Sequence, residues 1–142
     1  MLVADVMTAD LVTCESDATL AEAGKRMLAE RVGSVVVTAD GEPRGIVTET
    51  DLVRAGVERD GPFSAVEVTD VMREPLESVA PSATLQTAVR RMRDAEVKKL
   101  LVRDGMEAVG ILTRSDVALS APAIQREASD AAEQGADWAH GG

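Results

Sequence analysis

The chain has 142 residues, 45% of them hydrophobic, and 25 acidic against 15 basic side chains give it a net charge of −10. That length suits one compact domain or two small subdomains, and no apolar run approaches the ~20 residues that a membrane helix requires. The negative balance repels phosphate backbones and argues against nucleic acid as a partner, while a single cysteine, Cys14, and a single histidine, His140, argue against a His/Cys metal site.

The opening MLVADVMTAD lacks the basic residues and long apolar core of a signal peptide, so a cytoplasmic location is expected. LVTC at 11–14 reads as a strand. No histidine lies near Cys14 in sequence to act as its base, so Cys14 is read as a small apolar residue and not as a nucleophile. Thr19 and Glu22 form a capping box at the start of a helix whose apolar stripe is Leu20, Ala23, Gly24, Met27 and Leu28. VVV at 35–37 and GIV at 45–47 read as strands joined through Asp40-Gly41, a hairpin signal. Thr48, three residues before Asp51, then opens a second helix.

The same order returns 65 residues later. Asp5-Val6-Met7 matches Asp70-Val71-Met72, and the register holds without a gap through Met27/Met92, Gly45/Gly110, Ile46/Ile111, Thr48/Thr113 and Asp51/Asp116. The second copy runs through LESV at 76–79, a helical stripe of Leu85, Ala88, Val89 and Met92, LLV at 100–102, a turn at Asp104-Gly105, and GIL at 110–112. The chain is a tandem duplication. Each copy reads β-α-β-β-α, an α+β fold in which about 55 residues bury too little to be comfortably stable alone; the two copies are expected to pack about a pseudo-twofold axis. The expected division is repeat 1 over 1–60, a linker over 61–69 and repeat 2 over 70–121. An acidic, Ala-rich tail follows over 122–142, with 123–134 expected to be helical. Trp138 is read either as an anchor of that tail or as an exposed residue of a frayed end.

Charge is uneven along the chain. Residues 66–120 carry eight of the bases against nine acids, so an anionic ligand should lean on that segment. Abundant Asp and Glu with only three lysines, Lys25, Lys98 and Lys99, also suits a protein kept soluble in high salt.

The full set of motifs in order, DVM at each start, TL…A…M in each helix, GIVTETDL and GILTRSDV at each end, closely resembles the cystathionine-β-synthase (CBS) domain pair, or Bateman module. The resemblance covers residues 5–121. It implies a regulatory module that binds an adenosyl ligand (AMP, ADP, ATP or S-adenosylmethionine) in two clefts between the repeats and forms a homodimer, with no cofactor required and no catalytic residues. By the family's pattern the Asp of each closing motif takes the ribose hydroxyls and the Thr contacts phosphate. One cleft would join Thr48 and Asp51 to Ser78, Val79, Val97, Lys98 and Lys99; the other would join Thr113 and Asp116 to Thr13, Cys14, Val32, Gly33 and Ser34.

Both roles have a plain physical basis. An aspartate on a first helical turn makes strong charge-assisted hydrogen bonds to a cis-diol, and the free N–H groups of that turn favour an anion. The same residues also cap their own helices, and an Asp can serve its helix when the cleft is empty and a ribose when it is full. Glu49 beside one presumed phosphate position and Arg114 beside the other make the clefts unequal. With no Tyr, and with Phe63 and Trp138 outside the repeats, adenine would lie between aliphatic groups, which points to micromolar affinity. The second reading is an interaction scaffold with vestigial clefts. An enzyme is a distant third, since nothing supplies a phosphate loop or a nucleophile with its base.

Overall fold

The computed structural model describes residues 1–74, 76–122 and 126. The helix expected over 123–134 and the role of Trp138 therefore fall on the tail, outside the described residues apart from Arg126.

In the first half, β1 (Thr13–Glu15) runs parallel to β2 (Ser34–Ala39), and β3 (Glu42–Thr48) returns antiparallel to β2, giving a three-stranded sheet in the order β1-β2-β3. The helix α1 (Leu20–Glu30) makes the β1 to β2 crossover, and α2 (Glu49–Glu58) follows β3. The expected box starts α1: Glu22 N–H donates to Thr19 Oγ1 at 3.2 Å, and Thr19 N–H to the Glu22 carboxylate at 3.3 Å. Asp40 and Gly41 both take positive φ, 53° and 76°, the pattern of a two-residue hairpin loop that matches strand twist. Leu20, Ala23 and Met27 of α1 pack on Val35, Val37 and Val47 of the sheet to make the core. Leu28, placed on the same stripe by its spacing, is 82% exposed.

The second half repeats this plan. Strand β4 (Ser78–Val79) is parallel to β5 (Lys99–Asp104), β6 (Glu107–Thr113) is antiparallel to β5, α3 (Leu85–Ala95) crosses over and α4 (Arg114–Leu119) follows. Leu85, Ala88 and Met92 pack on Leu100, Val102 and Leu112. In this hairpin Gly105 is the residue with positive φ, 62°. The fold is α+β as expected: two three-stranded sheets and four α-helices among the described residues.

The compact units do not follow the sequence repeats. One is Asp10–Leu76; the other is Met1–Ala9 together with the chain from Glu77 onward. The two DVM segments are exchanged. Val3 is fully buried in the unit of the second repeat, where its N–H donates to the Ala83 carbonyl at 2.9 Å, and Thr8 pairs with Ile111 of β6 through bonds of 2.9 and 3.0 Å. In mirror fashion Val68 is fully buried against the first repeat, its N–H donating to Ala18, while Arg73 pairs with Ile46 of β3.

The glycine of each GI(V/L)T motif is shaped by this exchange. A Cβ on Gly45 would stand 2.9 Å from the Arg73 carbonyl oxygen, and one on Gly110 would stand 2.6 Å from the Thr8 carbonyl oxygen. Only a residue without a side chain lets the exchanged strand lie that close to the sheet.

Candidate functional site

Both Thr-x-x-Asp motifs sit where a β-hairpin ends and a helix begins. Thr48 has extended backbone and caps α2. Its Oγ1 accepts from Asp51 N–H at 3.2 Å, and its own N–H donates to Asp51 Oδ2 at 2.8 Å. Thr113 repeats the arrangement on α4, with Asp116 N–H to Thr113 Oγ1 and Thr113 N–H to Asp116 Oδ2 both at 3.0 Å. Each aspartate is thus locked onto the first turn with one carboxylate oxygen committed to its cap.

The other oxygen distinguishes the two corners. Asp51 is 2% exposed, and its Oδ1 accepts from Arg73 Nε at 3.1 Å, with an Arg54 guanidinium nitrogen at 3.6 Å. Asp116 is half-buried, and no arginine reaches it among the described residues. The register of 65 explains the difference: it sets Thr8 at the place of Arg73 and Leu119 at the place of Arg54. Arg73 and Arg54 were not among the expected site residues. Both are unmatched in the register of 65, but so are Arg31, Arg44 and Arg103, so nothing in the sequence singled these two out.

The neighbours of each corner within its own unit come from the start of the middle strand. In the first unit Ser34 lies opposite Thr48, and Glu49 N–H donates to the Gly33 carbonyl at 3.1 Å. In the second, Lys99 lies opposite Thr113, and Arg114 N–H donates to the Lys98 carbonyl at 3.0 Å. Each unit therefore adjoins residues that the resemblance assigns to opposite clefts. Val97, Lys98 and Arg114 line a groove of about 520 Å³ with Met92 and Val117. The matching groove of the first unit, about 660 Å³, has Val32 and Glu49 in the equivalent places. The second groove carries Arg114 where the first carries Glu49, while at the next equivalent pair the signs are reversed, Glu96 in the second and Arg31 in the first.

The first strands are tied to the helices in a repeated way. Arg26 Nε donates to the Thr13 carbonyl at 3.4 Å, and a guanidinium nitrogen of Arg91 donates to the Ser78 carbonyl at 2.6 Å. Thr13 and Cys14 pair with Val36 and Val37, and Ser78 and Val79 with Leu101 and Val102. The Cys14 thiol is pushed up from its ordinary pKa by burial, then by Glu15 and Glu22, with Arg26 opposing. That makes it a poor nucleophile at neutral pH. Among the described residues, no three His, Cys, Asp or Glu side chains gather to hold a metal ion, and no helix is long and apolar enough to cross a membrane.

Two β-α-β-β-α repeats, each closing its hairpin on a Thr-x-x-Asp cap, define a tandem pair of small α+β domains. The CBS domain model matches residues 3–58 and 68–121, and the chain belongs to that family. It is 35% identical over 127 residues to the uncharacterized protein YlbB of Bacillus subtilis (strain 168), covering 88% of this chain and 85% of that one. Among solved structures it resembles the hexameric CBS-CP12 protein from bloom-forming cyanobacteria, with a TM-score of 0.76, 27% identity, and coverage of 83% of this chain and 66% of that one. It also shares the fold of the CBS domain pair of MJ0100, solved in complex with 5'-methylthioadenosine and S-adenosyl-L-methionine, with a TM-score of 0.72, 19% identity, and coverage of 83% and 93%.

Proposed function

We propose that this chain is a regulatory CBS-pair protein that binds an adenosyl ligand at its Thr-x-x-Asp corners and transmits the binding as a change of shape. The observation that supports this most directly is the geometry at Asp116. Its carboxylate is fixed on the first turn of a helix by a single backbone bond to Oδ2, which leaves Oδ1 to accept from a ribose diol. Arg114 and Lys98, whose backbones are hydrogen-bonded to each other beside Thr113, supply positive charge for a phosphate. The bound ligands of the MJ0100 pair, both adenosyl compounds, fit the same reading.

The ligand is AMP, ADP, ATP or S-adenosylmethionine, and it acts by its difference in affinity for two arrangements of the chain. We further propose that the protein works as a homodimer in the cytoplasm. Leu28, Val53 and Val57, 82%, 68% and 81% exposed on α1 and α2, offer apolar area for self-association. The acid-rich surface suits high salt, and equal stability with and without molar potassium chloride would refute that part.

Thermal unfolding with each ligand, and with NADH as a further candidate, tests the central reading. A ligand at about 100 times its Kd adds roughly 2.7 kcal/mol of stability and raises the midpoint by several degrees. The Asp116→Ala protein should lose most of that rise. No rise with any of them at millimolar concentration refutes the reading.

A further inference from the structure

We propose that Arg73 is an internal competitor of the ribose at Asp51, so that the two corners bind an adenosyl ligand with unequal affinity and Arg73 sets the difference. This inference rests on the reading of the chain as an adenosyl-binding pair. A cis-diol recognised by an aspartate needs carboxylate surface to approach. At Asp51 that surface is already covered: Oδ2 accepts from Thr48 N–H at 2.8 Å, Oδ1 accepts from Arg73 Nε at 3.1 Å, and the side chain is 2% exposed. Arg54, at 3.6 Å from the same oxygen, adds to the cover.

Arg73 is well placed to give way. Its backbone is held by the paired bonds to Ile46, 3.0 and 3.2 Å long, while its side chain is 55% exposed. The guanidinium therefore leaves Asp51 by side-chain rotation into solvent, with no change in the strand that carries it. The pair joins a buried carboxylate to an exposed guanidinium and lies between the weak exposed pairs and the costly buried ones, so its displacement reduces affinity without abolishing binding, by roughly three- to tenfold. In the second unit the equivalent strand carries Thr8 opposite Ile111, and Leu119 stands where Arg54 would be. Nothing cationic has to leave Asp116. The inequality noted from Glu49 and Arg114 concerns the phosphate end of the ligand; this one concerns the ribose end.

The test is isothermal titration calorimetry of the full chain with AMP, in the wild type, in Arg73→Met and in Thr8→Arg. The wild type should show two dissociation constants. In Arg73→Met the weaker constant should tighten about three- to tenfold while the stronger stays put. In Thr8→Arg, which installs the same competitor beside Asp116, the stronger constant should weaken by a similar factor. Thr8→Arg also carries the test if Arg73→Met does not fold. Equal constants in the wild type, an unchanged weaker constant in Arg73→Met, or a further weakening there would overturn the role given to Arg73 and leave the adenosyl reading standing. Absence of heat in all three proteins with AMP, and again with S-adenosylmethionine, would overturn the adenosyl reading and this inference with it.

Discussion

Replacing Gly110 by Ala should destabilise the protein far more than a methyl group on a strand ordinarily does. Gly110 is buried in β6, and the new Cβ would lie 2.6 Å from the Thr8 carbonyl oxygen, 3.1 Å from Met7 Sδ and 3.4 Å from the Thr8 carbonyl carbon. The methionine sulfur can turn aside; the carbonyl belongs to backbone that is bonded to Ile111 on both sides. Relief requires the strand at 7–8 to move outward, which stretches two hydrogen bonds worth about 1 kcal/mol each. Overpacking adds about 1 kcal/mol more, for a total of about 2–4 kcal/mol. With a urea slope of about 1–3 kcal/mol/M, the unfolding midpoint should fall by about 1–2 M at unchanged slope. Gly45→Ala should follow with a smaller loss, because its closest contact, 2.8 Å, is to the flexible Met72 Sδ and the Arg73 carbonyl is at 2.9 Å. A Gly110→Ala protein within about 0.5 kcal/mol of wild type would refute the claim that this glycine exists to admit the exchanged strand.

Gly24→Ala should do the opposite: it lies inside α1 and its Cβ would sit 3.6 Å from Leu52 Cδ1, an ordinary contact, so helix propensity should raise stability by about 1 kcal/mol in urea titration. Asp116→Ala should cost about 1 kcal/mol as a lost cap, and Asp51→Ala about 2 kcal/mol, because the buried carboxylate also accepts from Arg73; equal losses in the two variants would count against the difference between the corners. Cys14 should react with iodoacetamide at least about threefold more slowly in the folded protein than in urea near pH 8, since its raised pKa leaves less thiolate. The sign for stability follows. The folded state holds the thiol proton more tightly, so the contribution of this group is complete below the ordinary thiol pKa and is lost as pH rises through the folded one.

The register of 65 made most of the fold legible, because burial repeats with sequence: Met27 and Met92, Val37 and Val102, Thr48 and Thr113 occupy the same places in their units. The caps were legible for the same reason, since a capping box is written within four consecutive residues. Leu28 was misplaced because an i, i+4 stripe marks one side of a helix, and the edge of that side faces solvent. The exchange of the DVM segments was not legible at all. A repeat read in sequence order shows that two segments are equivalent and is silent about which sheet each one joins. Arg73 was missed as a consequence: it stands 22 residues from Asp51, on a segment that sequence order gives to the other copy.

The exchange carries a consequence for how the chain can be divided. A fragment cut by sequence repeat, 1–60, lacks Val66 and Val68, both buried in the first core, and the Arg73 strand that pairs with Ile46. Burying two valines is worth about 3–6 kcal/mol, close to the whole stability of a domain this small. The same fragment keeps residues 1–9, whose Val3 belongs to the other core. A fragment cut by compact unit, 10–76, has every residue of the first core. Far-UV circular dichroism with urea should therefore show a cooperative transition for 10–76 and none for 1–60. In the intact chain Val68→Ala should cost about 2 kcal/mol or more, although residue 68 lies in the stretch expected to be a linker. A fragment 1–60 that unfolds as cooperatively as 10–76, or a Val68→Ala protein as stable as wild type, would mean that the exchanged segments decorate the units and do not complete them.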